Sequence, residues 1–206
     1  PVGETSNIYI TGGTVAGKPG GVNTYISGYD ANNAPVYSAK FDSEIKGGIY
    51  GGACQNQGGN VNIYMTGGKV DSGLYGGSNA AGTIEGTVNM RIHGGQVGNI
   101  THAANIHGGG YGEESSVEGN ITIILDKEDN NTGSVVYGDV YGGGAFGKTQ
   151  STTNVTLNAG QVYNSIYGGG LGETAKATGD MNVHINGGIV YSNVFGGGNA
   201  AQVEGN

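Results

Sequence analysis

One stretch of the chain carries the full pattern of a phosphate-cradling loop. Gly142-Gly-Gly-Ala-Phe-Gly147-Lys148-Thr149 sets a glycine, four residues and then Gly-Lys-Thr behind a strand-like run. In a nucleotide-binding loop the backbone amides cradle phosphates, the lysine reaches the terminal ones and the hydroxyl holds magnesium. That chemistry needs a helix directly afterwards, whereas Gln150-Ser-Thr-Thr-Asn-Val-Thr-Leu157 alternates as a strand does. No apolar strand elsewhere ends in an aspartate suited to magnesium. The same slot reads Gly168-Gly-Gly-Leu-Gly-Glu-Thr174 and Gly108-Gly-Gly-Tyr-Gly-Glu-Glu114 at other places. Lys148 is a chance occupant of a recurring glycine turn, so no nucleotide is expected, and the embedded Gly142-x-Gly144-x-x-Gly147 falls with it.

Other residue types capable of chemistry are scattered. His93, His102, His107 and His184 show no i, i+4 spacing, and with Cys54 as the only cysteine no zinc site and no internal disulfide is expected. The Asp126-Lys-Glu128-Asp129-Asn130-Asn131 segment offers oxygen ligands, but its next glycine, Gly133, comes too late for the sharp turn of an EF-hand. Its plain reading is a solvated insertion, and calcium there is left open. Glu85, Glu118 and Glu204 each precede a glycine, and this recurrence marks a structural slot rather than an acid–base pair. Arg91 is the single arginine and has no aspartate cluster beside it. No catalytic residue, metal or cofactor is expected. An enzyme should show a unique break in the pattern, and none is evident.

The net charge of −8, with eight Lys and Arg dispersed along 206 residues, leaves no basic face for nucleic acid. No apolar run approaches the roughly 18 residues of a membrane span. The 46 glycines would suggest disorder if they were spread at random. Instead they recur at fixed places between alternating apolar segments, as turn residues do in an ordered array.

The array is explicit. Ile8-Tyr-Ile-Thr-Gly-Gly-Thr-Val15 returns as Ile63-Tyr-Met-Thr-Gly-Gly-Lys-Val70, Met90-Arg-Ile-His-Gly-Gly-Gln-Val97, Val155-Thr-Leu-Asn-Ala-Gly-Gln-Val162 and Val183-His-Ile-Asn-Gly-Gly-Ile-Val190. Ile123-Ile-Leu125 opens a variant lacking the Gly-Gly pair. A second segment follows each, as in Leu74-Tyr-Gly-Gly and Val140-Tyr-Gly-Gly-Gly, and Ile84-Glu-Gly, Val117-Glu-Gly and Val203-Glu-Gly close several units. Alternation over a few residues is the strand period, and no stretch keeps a period of 3.6. A unit of roughly 27 residues is too short for a propeller blade. The expected fold is therefore all-β: one domain over residues 1–206, a right-handed parallel β-helix of about six coils with three short strands per coil. The coils would stack about 4.8 Å apart.

Stacking makes columns. Ile8, Ile63, Met90, Ile123, Val155 and Val183 should form one, buried and in order, and Ile49, Leu74, Ile106, Val140, Ile166 and Val194 another. The residue after each member of the second column, Tyr50, Tyr75, His107, Tyr141, Tyr167 and Phe195, should form an aromatic ladder. Aromatic rows can hold sugar rings by face contact; they also stabilise a corner by stacking on one another. The gaps from Ile10 to Ile49, Ile92 to Ile106 and Leu125 to Val140 are longer than the usual nine residues, so residues 16–46, 98–105 and 126–135 should project from one side of the rod. Such loops form binding surfaces or are tolerated insertions at an exposed corner.

These Gly-Gly-x-Val and Tyr-Gly-Gly-Gly units resemble the repeat regions of large bacterial surface and secreted proteins, adhesin-like, of pectate-lyase-type β-helix architecture. The resemblance covers nearly the whole chain outside residues 16–46. It implies a rigid stalk or adhesive display surface outside the cell, engaging host or dietary glycans, and carries no catalytic residue over. The alternative is a polysaccharide-active lyase or hydrolase using the loop-bearing side. The array is in full repeat by Ile8 and still repeating at Gly205, with no polar cap evident at either end. The expectation is an excerpt of a longer array, or ends that pair with other copies.

Overall fold

The computed structural model describes residues 5–12, 14–15, 25–29, 35–38, 48–53, 56–128 and 132–205. Its strands stack as a parallel β-solenoid of six coils, with no helix among the described residues. The first sheet holds Ser6–Ile10, Val61–Met65, Val88–Ile92, Ile121–Leu125, Thr153–Leu157 and Met181–Ile185 in that spatial order. The second holds Thr14–Val15, Lys69–Val70, Gln96–Val97, Val135–Val136, Gln161–Val162 and Ile189–Val190. The third holds Ile49–Tyr50, Leu74–Tyr75, Ile106–His107, Val140–Tyr141, Ile166–Tyr167 and Val194–Phe195.

The cross-section is finer than three strands per coil. A fourth ladder pairs Ala81–Ile84, Glu114–Val117 and Lys148–Thr149, and single bridges extend it from Gln57 at one end to Ala177 and Val203 at the other. The recurring Ile-Tyr-Met-Thr-Gly-Gly-Lys-Val segment is itself two strands, because the chain turns at its second glycine. Gly68, Gly95, Gly160 and Gly188 sit there with φ of 82°, 83°, 98° and 75°. L side chains rarely adopt that conformation.

The first predicted column is in register: Ile8 pairs with Ile63, Ile63 with Met90, Met90 with Ile123, Ile123 with Val155 and Val155 with Val183. Its four inner members are fully buried, and Ile8 and Val183 are half-buried because each lies in an outermost coil. Leu74, Ile106, Val140 and Ile166 are likewise sealed in the second column. Each such side chain stabilises the fold by roughly 1.5–3 kcal/mol, which no isolated coil could gain.

The loops do not share one side. In the third coil the added residues, 98–105, lie between Val97 and Ile106, at the turn from the second to the third sheet. In the fourth they lie between Leu125 and Val135, at the turn from the first to the second sheet. Counting only from first-segment strand to aromatic strand had merged two corners into one. Residues 16–46 lie mostly outside the described residues. The flanking strands Thr14–Val15 and Ile49–Tyr50 place their departure at the second-to-third turn, and an antiparallel pair, Tyr25–Tyr29 with Pro35–Ser38, lies within them.

Candidate functional site: the aromatic ladder and the corner surface

The ladder predicted along the third sheet forms rung by rung. Ring centroids are 4.7 Å apart for Tyr50–Tyr75, 5.0 Å for Tyr75–His107, 4.7 Å for His107–Tyr141, and 4.8 Å for both Tyr141–Tyr167 and Tyr167–Phe195. No pair departs from parallel by more than 11°. Parallel strands hold equivalent Cβ atoms at the inter-strand spacing, which is close to a stacking distance, so the backbone fixes the ladder.

Burial decides what the ladder can do. The rings alternate outward from the Ile/Val/Leu column, yet Tyr75, His107 and Tyr141 are 8%, 1% and 1% exposed. Turn residues of the fourth side fold over them. Tyr111 stands edge-on to Tyr75 at 5.7 Å and Phe146 edge-on to Tyr111 at 5.7 Å, and Asn199 donates from Nδ2 to the Tyr141 hydroxyl at 3.3 Å. At these rungs both ring faces are spent on neighbouring rings, so no face is left for a sugar. The expectation of a glycan platform on this ladder gives way to a structural role there: a second apolar layer outside the main core.

The electrostatics agree with that role. Burial pushes the Tyr75 hydroxyl well above the usual phenol range and Tyr141 up to about 12, and raises Tyr50 as well. Burial also holds His107 neutral, its pKa pushed down to about 3, and its Nδ1 has no hydrogen-bond partner.

The other candidates are dispersed. Lys148 and Thr149 lie on a strand with no helix after them; the lysine is exposed, while the threonine hydroxyl is buried in the opposite direction without a partner. A phosphate loop needs both aimed at one anion. Among the described residues no three His, Cys, Asp or Glu side chains come together as metal ligands; Cys54 and Asp129–Asn131 lie outside them. The Asp126 carboxyl sits below its ordinary pKa, held there by the Lys127 amide at 2.8 Å and then by the Asn158 amide at 3.1 Å. Glu85 and Glu118 stand in the fourth ladder's outward column, where Gln150 and Thr178 fill the slot in later coils; farther along, Glu204 pairs with Lys176 at 2.6 Å. A shallow groove of about 360 Å³ at the first-to-second turn is lined, among the described residues, by Thr66, Lys69, Gln96, Thr132, Val135 and glycine backbone, and by no carboxylate or imidazole.

A second tyrosine row escaped the sequence reading. Tyr137, Tyr163 and Tyr191 follow the second-sheet strands and stack at 4.7 and 4.8 Å, tilted by 17° and 30°. Unlike the inner rungs Tyr75, His107 and Tyr141 of the first row, its members Tyr163 and Tyr191 are 36% and 56% exposed. Its signal was the repeated Val-Tyr of Val136-Tyr137, Val162-Tyr163 and Val190-Tyr191. The row occupies the same second-to-third turn as loop 98–105. That loop closes through reciprocal backbone bonds between Asn99 and His102 and holds Ile100, 83% exposed, at its tip.

Ladders of backbone and of aromatic rings repeated through six coils, with shorter asparagine ladders beside them, define a parallel β-solenoid. No family model, curated protein or solved structure matches the chain. Among the described residues no helix is long and apolar enough to cross a membrane.

Proposed function

We propose that the chain is a non-catalytic β-solenoid scaffold that works outside a bacterial cell as a stalk and display surface, presenting its second-to-third corner to neutral glycans. The observation that carries this reading is the contrast between the two tyrosine rows. The inner rungs of one, Tyr75, His107 and Tyr141, are consumed in packing; Tyr163 and Tyr191 of the other are open and lie on the corner that bears Ile100 and the departure of residues 16–46. The turns that carry the open row hold amides and hydroxyls, Gln161, Asn164, Ser192 and Asn193, beside the carboxylate of Asp139, and among the described residues no lysine or arginine lies between Tyr137, Tyr163 or Tyr191 and the third-sheet strand that follows each. Aromatic edges beside amide groups suit uncharged sugars, which offer both apolar ring hydrogens and hydroxyls. The low share of charged residues, 12%, and the abundance of Asn, Thr, Ser and Gly fit an extracellular setting.

Glycan-array binding tests the reading. The folded chain should retain a set of neutral glycans, and Tyr163→Ala and Tyr191→Ala should each weaken retention while Tyr141→Phe leaves it intact. Absence of any retained glycan, or retention indifferent to both corner substitutions, overturns the proposal.

A further inference from the structure

We infer that Asn99, in loop 98–105, is an acceptor for an N-linked sugar, transferred from a donor activated on a nucleoside or lipid phosphate. The inference goes beyond the scaffold reading and does not depend on the tyrosine row binding any glycan.

Asparagine followed two places later by serine or threonine, with no proline between, is the triplet that N-glycosylating enzymes read. The chain holds it four times: Asn99-Ile100-Thr101, Asn120-Ile121-Thr122, Asn130-Asn131-Thr132 and Asn154-Val155-Thr156. Asn130 lies outside the described residues. The other three triplets are nearly identical, each with a β-branched aliphatic residue in the middle. The fold separates them where the triplet does not.

Ile121 and Val155 are fully buried, and each lies in a strand of the first sheet paired on both sides. An enzyme cannot grasp those triplets without opening a coil. Their asparagines are also engaged: Asn154 Oδ1 accepts from Asn182 Nδ2 at 3.1 Å, and Asn120 Oδ1 accepts from the Ser151 hydroxyl. Ile100, by contrast, is 83% exposed, and Thr101, His102 and Ala103 are exposed beside it. Gly98, with φ of 73°, packs against Ala104, so the loop closes at its base and residues 99–103 stand outside the strand ladders.

The acceptor amide is already oriented. The backbones of Asn99 and His102 bond reciprocally at 2.8 and 3.1 Å, which leaves Ile100 and Thr101 as the two tip residues. Asn99 Oδ1 accepts from the Thr101 hydroxyl at 2.7 Å and from the Thr101 and His102 amides, both at 3.0 Å. Three donors on the oxygen fix the plane of the amide. Among the described residues nothing accepts from Nδ2, so the nitrogen is the free end of the group. In the transfer Nδ2 attacks the anomeric carbon of the donor sugar. The new C–N bond forms as the bond from that carbon to the phosphate oxygen breaks. The phosphate leaves with the electron pair, and one Nδ2 proton passes to a base of the enzyme. A sugar placed there stands off the corner in solvent and breaks no ladder bond.

The test incubates the folded chain, in an Asn130→Gln background, with a soluble N-glycosyltransferase that reads this triplet and a nucleotide-activated hexose. Peptide mass spectrometry then reads each site, and glycan-array retention plays no part, so this inference and the glycan reading fail separately. Hexose should appear on Asn99 in at least about tenfold excess over Asn120 and Asn154, because those sites wait for a coil to open. Short peptides of the three triplets, run beside the folded chain, should lose that excess. Asn99→Gln and Thr101→Ala should abolish the modification and Thr101→Ser should keep it, with circular dichroism confirming that each variant retains its strands. An unmodified Asn99 in the folded chain, equal hexose on Asn120 or Asn154, persistence in Thr101→Ala, or the same excess in the peptides overturns it.

Discussion

The imidazole of His107 lies parallel to the phenol ring of Tyr75, centroids 5.0 Å apart and 0° between the planes, in a ladder whose other rungs are tyrosine and phenylalanine. Stacking keeps the ring shape, but the substitution puts a titratable group where its proton cannot be solvated. The folded chain holds His107 neutral with a pKa near 3 against an ordinary 6.5. Below about 6.5 the unfolded chain binds a proton that the folded chain refuses. This contribution is therefore complete above that pH and is lost as pH falls toward 3, at up to about 1.4 kcal/mol per pH unit. Denaturant titrations across pH 7 to 4 should show that slope, and His107→Phe should flatten it while relieving the unpaired Nδ1.

The alkaline side has the opposite sign. Tyr75 and Tyr141 ionise in the folded state well above the phenol value of 10.0, Tyr141 at about 12. Their contribution is complete below 10 and is lost as pH rises toward the folded values, because the unfolded phenols ionise first. Thermal melts between pH 9 and 12 should fall steeply for the native chain and less steeply for Tyr141→Phe.

Deleting a rung should be costly where deleting a hydroxyl is not. Tyr141→Ala removes a buried ring stacked on both sides, with an expected loss of about 3–5 kcal/mol by chemical denaturation. Tyr141→Phe keeps the stacked ring and gives up the hydroxyl's contacts with Asn199 and Asp139, with an expected loss of about 1–2 kcal/mol.

Gly142 cannot carry a side chain. A Cβ there would collide with the carbonyl oxygen of Gly168 in the next coil, and Gly76, Gly108 and Gly168 face the next coil's glycine in the same way. The obstacle is backbone held in a ladder, so it cannot step aside. Gly142→Ala should destabilise by more than about 2 kcal/mol, beyond ordinary glycine-to-alanine effects. Gly12, with nothing nearby, should accept alanine with little change.

Amide ladders on the outer face of the first sheet should contribute less. Asn89 donates to Asn62 at 3.1 Å and Asn62 to Asn7 at 2.9 Å. These bonds are solvent-accessible, so Asn62→Ala, which breaks two, should cost about 1–2 kcal/mol by denaturant midpoint.

Architecture was legible because a stacked repeat writes each packing constraint several times. Ile63, Met90, Ile123 and Val155 could be read as one column from spacing alone. Periodicity says which residues share a rung; it says less about where a coil turns. The Gly68 corner is a matter of one φ angle, so one apparent strand proved to be two and loops 98–105 and 126–135 were credited to the same side. Burial of Tyr75 and Tyr141 was also hidden, since the residues covering them, Tyr111 and Asn199, come from turns outside the strand pattern. The open row of Tyr137, Tyr163 and Tyr191 was overlooked because it occupies three coils where the ladder occupies six.

The backbone bonds that join one coil to the next run along the axis of the stack. Tension between the two ends of the chain therefore meets these bonds from the last turn inward, and the molecule should pay out like thread from a spool. Each turn released converts about 4.8 Å of height into roughly 90 Å of extended chain, for a unit of roughly 27 residues. The first, third and fourth turns, with their added residues, release longer lengths. The same construction resists compression, because every turn rests on a filled core. As a mechanical element it is stiff under load and yielding under pull, with its run of discrete lengths set by where the loops were inserted.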